Sequence, residues 1–173
     1  MKKRKYSSPY FGRDYFSRDI LPHSIYAGHK TIRQSIPYRR HDEIVFLLIR
    51  DGEGTVTVNG HVYPVRRGSL FCFSPHHFHK IDVEKGHSLE VCECHMNTGL
   101  YLYVTACPYY PVRSDVPAPP VFASLDAAGA DRTDRLMEDI SAQCDKGPVS
   151  ENQVLYFLLM KLFGILEHYA PTT

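Results

Sequence analysis

Short β-rich segments separated by turn residues follow one another from about Ser24 to about Val104. This spacing is typical of an antiparallel sandwich or barrel, because each turn returns the chain beside the strand that it has just formed. Residues 43–49 (EIVFLLI) are almost all apolar, which predicts a strand that is buried on both faces. Asn59-Gly60 predicts a hairpin, since both residues tolerate the left-handed conformation of a type I′ turn. The first half of the chain is therefore predicted to be mainly β.

A proline-rich stretch follows the predicted strands. Residues 108–120 contain five prolines, which excludes a helix or the interior of a sheet and predicts an extended connector. We expect a flexible N-terminal arm at 1–15, a β-barrel at 16–107 and a connector at 108–123. Residues 124–173 are expected to form a helical dimerisation segment and the start of a linker.

Two helices are predicted in this last segment. The first covers about Ala130 to Cys144, and Ser150 with Gln153 resembles a capping box that begins a second helix ending near His168. Apolar residues cover more than one face of the second helix. Either the helix packs entirely inside its own domain, or one stripe contacts a second subunit, and we favour the second interpretation. The residues expected at this dimer interface are Leu155, Leu158, Leu159, Leu162 and Leu166.

Charge and cysteine usage limit the functional classes. The chain has 173 residues, a net charge of +1 and a pI near 7.7, so it lacks the basic surface of a module that grips DNA by itself. It contains neither a long apolar run nor the apolar core of a secretory signal, which predicts no membrane association. The five cysteines lack zinc-ribbon spacing and are typical of free thiols in the cytoplasm.

The stretch from His41 to His79, HDEIVFLLIRDGEGTVTVNGHVYPVRRGSLFCFSPHHFH, resembles the cupin core of the N-terminal domain of AraC-family transcription regulators. The resemblance lies in the apolar strand that enters a Gly-x-Gly turn, the Asn59-Gly60 hairpin and the Pro-x-x-x-His pattern. It implies a mainly β fold, a cupin-like double-stranded β-helix (jelly-roll) barrel followed by two C-terminal α-helices. It also implies a homodimer, a small-molecule effector such as a sugar or an anionic metabolite, and DNA contact only through a further domain beyond Thr173.

Metal-binding cupins use a His-x-His-x-x-x-Glu motif and a distant histidine as ligands. The resemblance places Arg39, His41, Val45 and His79 at these positions, so two of the four ligands are missing. We therefore predict no metal, no cofactor and no enzymatic activity. The alternative is a stand-alone metal-dependent cupin enzyme of the oxygenase or sugar isomerase type. Its metal ligands would be drawn from His41, His79, His77 and Glu43.

A barrel mouth lined by hydrogen-bonding groups remains, and we expect a ligand to bind there through Arg39, His41 and His79. The strand at 88–96 should face these side chains. Alternation directs either Glu90, Cys92 and Cys94 or the other set, Leu89, Val91, Glu93 and His95, into the barrel. The resemblance favours the first set. The predicted ligand-binding residues are accordingly Arg39, His41, His79, Glu90, Cys92 and Cys94.

Overall fold

The computed structural model describes residues 25–97, 99–101, 121–144, 146 and 152–169. Nine strands and two long helices form within these residues. The strands are β1 (Ile25–Ile32), β2 (Ile36–Arg39), β3 (Ile44–Asp51), β4 (Gly54–Val58), β5 (His61–Val65), β6 (Ser69–Phe73), β7 (His79–Asp82), β8 (Leu89–Met96) and β9 (Phe122–Ser124). The helices are α1 (Ala127–Cys144) and α2 (Gln153–Tyr169).

The strands form two antiparallel sheets. One sheet has the order β1-β8-β3-β6-β9 and the other the order β2-β7-β4-β5. From β1 to β8, consecutive strands alternate between the sheets, as in a jelly roll, except at the β4–β5 hairpin. The predicted fold class, a cupin-like jelly-roll barrel followed by two helices, is confirmed.

The β4–β5 hairpin has the predicted turn. Asn59 has φ 47° and Gly60 has φ 87°, so both central residues have the positive φ of a type I′ turn. Val58 pairs with His61 directly across it. The local sequence alone was sufficient to predict this turn, because few residues other than asparagine and glycine adopt the conformation at low cost.

The five-stranded sheet is buried on both faces, as the apolar run in β3 predicted. Val45 and Leu47 pack with the second sheet in the barrel interior. Phe46 and Leu48, one residue out of phase, pack with the two helices on the opposite face. Strand β8 lies between β1 and β3 and divides its side chains between the two faces in the same way.

The helices complete the second core. The side chain of Asn152 caps α2, because the backbone N–H of Leu155 donates to its Oδ1 at 3.0 Å, whereas the predicted cap Ser150 lies outside the described residues. The predicted dimer stripe is wrong at four positions: Leu155, Leu159, Leu162 and Leu166 are buried within their own subunit, where they pack on the barrel, and only Leu158 is partly exposed. A leucine stripe that already covers a sheet cannot also contact a second subunit.

The predicted domain boundaries extend beyond the described residues. Residues 1–24 and 102–120, which include the predicted arm and most of the predicted connector, lie outside the described residues. Residues 122 and 123, at the end of that connector, instead belong to β9, which pairs with β6. Neither helix in the described part of the chain has the length and apolar character needed to cross a lipid bilayer.

Candidate functional site

Polar side chains gather at one end of the barrel interior, where β2, β6 and β8 end and β3 and β7 begin. The rest of the interior is apolar. We call the following residues the polar cluster: Tyr26, Lys30, Arg39, His41, Glu43, His79, Glu93 and His95. Alternation directs Tyr26, Glu93 and His95 inward, because their neighbours Ala27 and Cys94 pack on the helical side of the sheet.

His95, near the end of β8, lies between two carboxylates. Its Nδ1 is 3.0 Å from Oε2 of Glu43, and its Nε2 is 3.4 Å from Oε2 of Glu93. Burial by itself would lower the pKa of His95, but hydrogen bonds to both carboxylates raise it above its usual value. Both ring nitrogens therefore donate, and His95 is an imidazolium held in place on two sides.

Glu93 connects His95 to β1 through Lys30. Lys30 pairs with its other carboxylate oxygen, and both side chains are largely buried. Burial acts to raise the pKa of Glu93, but the hydrogen bond with His95 and the charge of Lys30 lower it well below the usual range. Glu93 is consequently ionised, and it binds two cationic groups, His95 on its own strand and Lys30 on β1.

Arg39 and His79 face each other across β2 and β7. The Nε–H of Arg39 donates to Nε2 of His79 at 3.3 Å, and Nδ1 of His79 lies 3.4 Å from the carbonyl oxygen of His77. The His79 ring stacks on Phe73 with 4.1 Å between centroids and 5° between planes. Burial and the Arg39 charge lower the pKa of His79 to about 4, so it is neutral and accepts from Arg39.

His41 lies at the centre of the cluster. Its ring stacks on His79 with 5.0 Å between centroids and meets His95 edge-on at 5.3 Å. Burial, followed by the positive neighbours His95 and Arg39, lowers its pKa to about 2. Its Nε2 atom is buried and has no hydrogen-bond partner among the described residues. His41 is thus a neutral imidazole with one nitrogen available to a ligand.

Tyr26 covers His95 from β1. The two ring centroids are 6.1 Å apart. A Cβ atom at Gly28 would lie 2.4 Å from the Tyr26 hydroxyl oxygen, so the tyrosine packs directly over the backbone of Gly28. Glycine at this position allows an aromatic side chain to lie flat along β1 beside the cluster.

The structure brings together three of the predicted ligand-binding residues. Arg39, His41 and His79 come from β2, the following loop and β7, and their side chains are in contact. Arg39 and His41 are partly exposed, whereas His79 is fully buried. Arg39 and His41 are therefore the members of this trio that solvent reaches.

The other three predicted residues do not join the site. Cys92 and Cys94 face the helices, and Glu90 is exposed and accepts a hydrogen bond from Thr31 at 2.9 Å. The prediction that this set points into the barrel is wrong, because β8 is buried on both faces and the opposite set is directed inward. Burial also raises the pKa of the Cys92 thiol to about 12, so it is not a reactive thiolate at neutral pH.

The alternative metal ligands are not assembled. Glu43 binds His95, and Nδ1 of His77 accepts from the backbone N–H of Ser74 at 3.0 Å. In the described part of the chain, no three His, Cys, Asp or Glu side chains are arranged to hold a metal ion. Two of the four positions of the cupin ligand pattern, Arg39 and Val45, also cannot supply ligands. The residues present do not fit a cupin metal centre.

Sequence reasoning did not assign Tyr26, Lys30, Glu93 or His95 to the site. Glu93 and His95 belong to the other alternation set of β8, which the resemblance does not favour. Tyr26 and Lys30 carried no signal, because the alternation of β1 has few apolar residues to show which face is buried. Their place became evident only from the pairing of β1 with β8.

Comparison with known proteins gives a family match over most of the chain: the AraC-like ligand binding domain model matches residues 22–171. No curated protein matches. The solved structures that resemble the chain include a cupin protein from Bacteroides fragilis, with a TM-score of 0.37 and 16% identity over 43% of this chain and 65% of that one.

Two further solved structures match a similar share of this chain. A cupin 2 conserved barrel domain protein from Salinispora arenicola has a TM-score of 0.40 and 11% identity over 44% of this chain and 66% of its own. Salicylate 1,2-dioxygenase from Pseudoaminobacter salicylatoxidans has a TM-score of 0.40 and 23% identity over 44% of this chain and 22% of its own. The matched regions thus cover less than half of the present chain.

Proposed function

Since this chain belongs to the AraC-like ligand binding domain family, we propose that it binds a small-molecule effector at the polar cluster in its barrel. The observation that carries the proposal is the placement of His41: it has a buried nitrogen without a hydrogen-bond partner among the described residues, and it lies beside the partly exposed Arg39. Ligand pockets typically combine apolar walls with a few convergent polar groups, and small barrels bind ligands at their mouths.

The effector would control an attached DNA-binding domain. Binding at the barrel mouth changes the relative stability of two arrangements of the regulator, and the preferred arrangement sets the spacing of two DNA-binding domains on their half-sites. DNA contact then belongs to the attached domain, which is consistent with the net charge of +1 of this chain. Such a transcription regulator acts in the cytoplasm.

A homodimer would form through the outer face of α2. Val154 is 55% exposed and Phe157 is 64% exposed, and the partly exposed Leu158 lies beside them at helical spacing. Since the opposite stripe of α2 is already buried on the barrel, a second copy of the same helix is the occupant that we propose for this face. A two-fold axis would place the two Phe157 side chains in one self-complementary contact.

We assign binding rather than catalysis to the site. A stand-alone metal-dependent cupin enzyme would need His41 and His79 together with Glu43 or His77, and those two side chains have the other partners described above. Elemental analysis of protein purified without chelators tests this assignment. A stoichiometric metal that is lost in His41→Ala would favour the enzyme.

Two adjacent arginines allow a matched test of effector binding. Arg39 points into the barrel, whereas the exposed Arg40 lies over the ring of Phe78. We would screen sugars and organic acids by thermal shift and measure each hit by calorimetry. A hit should bind the wild type and Arg40→Gln alike, and Arg39→Gln should weaken it by about tenfold or more. Hits that respond equally to both variants, or no hit at all, would count against an effector site in the barrel.

A further inference from the structure

The chemistry of the polar cluster also indicates the class of its ligand. The cluster contains three cationic groups, Lys30, Arg39 and the protonated His95, and two carboxylates, Glu43 and Glu93. They come from β1, β2, β8 and the segment before β3. The remaining titratable members are Tyr26 and the two neutral histidines, His41 and His79. The cluster thus has an excess of one positive charge, in surroundings where burial reduces screening.

Three of the four carboxylate oxygens of the cluster already bind cationic side chains. Oε2 of Glu43 binds His95, and the two oxygens of Glu93 bind His95 and Lys30. A sugar needs acceptors as well as donors, because each hydroxyl group that is buried must donate its proton. The cluster therefore suits a ligand that accepts hydrogen bonds.

His41 supplies the donor for such a ligand. Its Nε2 is buried without a partner among the described residues, and a buried polar atom left without a hydrogen bond is unfavourable. In the tautomer with hydrogen on Nε2, a ligand oxygen would satisfy it. The Arg39 guanidinium, whose Nε–H meets the edge of the His79 ring on which His41 stacks, matches the planar geometry of a carboxylate.

We propose, building on the effector site proposed above, that the ligand of the barrel is a small carboxylate. One of its oxygens accepts from His41 Nε2, and the carboxylate group pairs with the guanidinium of Arg39. His95 does not touch the ligand. It is a positioning residue, because Glu43 and Glu93 hold its ring edge-on to His41.

The experiment compares acids with their uncharged amides. Acetate, butyrate and benzoate, each beside acetamide, butyramide or benzamide, are titrated into the full chain by calorimetry or ligand-observed NMR. At least one acid should bind about tenfold or more tightly than its amide, because a charge-assisted hydrogen bond is roughly twice as strong as a neutral one. Arg39→Gln should remove this preference and Arg40→Gln should keep it.

Variants of His41 separate its hydrogen bond from its packing. His41→Phe keeps the ring stacking and loses the donor, so acid binding should fall by about tenfold, whereas His41→Gln restores an N–H donor and should recover part of it. Equal affinities for acid and amide, or no binding of any acid at about 10 mM, would overturn the inference. If a neutral sugar binds instead and depends on Arg39, the carboxylate inference fails while the proposed effector function stands.

Discussion

Oε2 of Glu43 lies 3.0 Å from Nδ1 of His95, although 52 residues separate them in the chain. This hydrogen bond connects the segment before β3 to the end of β8. Together with the contact between His95 and Glu93, it fixes the imidazolium against which His41 packs. The site thus depends on a buried ionic group, and its stability is open to direct measurement.

Replacing His95 should destabilise the fold strongly. In His95→Leu the carboxylates of Glu43 and Glu93 lose their shared cation while they remain buried, and removing one member of a buried ionic group costs about 3–5 kcal/mol. Urea unfolding followed by circular dichroism measures the loss. Adding Glu43→Gln to the same chain should recover part of it. A matched change at an exposed histidine, His87→Gln, should alter the free energy of unfolding by less than about 0.5 kcal/mol. An equal effect of both histidine variants would contradict this account.

His79 should make the protein sensitive to acid. Its pKa in the folded state is about 4, against an ordinary value of 6.5, so the unfolded chain takes up the proton first as the pH falls. The contribution of His79 is therefore complete above pH 6.5 and is lost as the pH falls towards about 4. A pKa lowered from 6.5 to about 4 corresponds to about 3 kcal/mol of folding stability. Unfolding curves between these pH values should show this loss in the wild type.

A variant isolates that contribution. His79→Phe retains an aromatic ring to stack on Phe73 and removes the titrating group. The decrease in the free energy of unfolding from near-neutral pH down to about pH 4 should become smaller than in the wild type. His87→Gln, at an exposed position, should leave it unchanged. If the free energy of unfolding of His79→Phe falls with pH as much as that of the wild type, other groups cause the acid sensitivity.

Two glycines with the same backbone conformation should differ in their tolerance of a side chain. Gly52 has φ 89° and Gly60 has φ 87°, so alanine is strained at both positions. A Cβ at Gly52 would lie 2.1 Å from the backbone oxygen of Ser88, whereas nothing lies within 4 Å at Gly60. Gly60→Ala should cost about 1 kcal/mol and Gly52→Ala clearly more, because the backbone between β7 and β8 must move. Thermal unfolding of the two variants gives the comparison, and equal melting temperatures would exclude the steric explanation.

The proposed dimer makes a prediction about α2. Phe157→Glu places a charge in the middle of the apolar face and should convert the dimer to a monomer without lowering the melting temperature of the monomer, since the side chain is 64% exposed. Phe78→Glu, at an aromatic residue that is 52% exposed on the barrel, should leave the dimer intact. Sedimentation velocity over a range of concentrations distinguishes the two species. A dimer that survives Phe157→Glu would place the interface elsewhere.

Several features could be predicted because they depend on local sequence. The apolar run in β3 indicated burial on both faces, and the side chains of Val45 and Phe46 do pack on opposite sides of the sheet. The turn at Asn59-Gly60 followed from the conformations open to those two residues. The family resemblance pointed to Arg39, His41 and His79, which lie on β2, in the following loop and on β7.

The inward face of β8 could not be predicted by the same means. Alternation identifies a buried face only when the other face is polar and exposed. In β8 the set with Cys92 and Cys94 and the set with Glu93 and His95 are both buried, so the contrast is lost. The family resemblance then favoured the wrong set.

The sequence by itself determined the β architecture and the Asn59-Gly60 hairpin, because these depend on contacts between near neighbours and on periodicity. The tertiary structure alone decided that Glu43 pairs with His95, that Lys30 pairs with Glu93, and which stripe of α2 is buried. Each of these depends on contacts between residues distant in the chain, where several pairings satisfy the same local pattern. Only the packed barrel determines which buried charges meet.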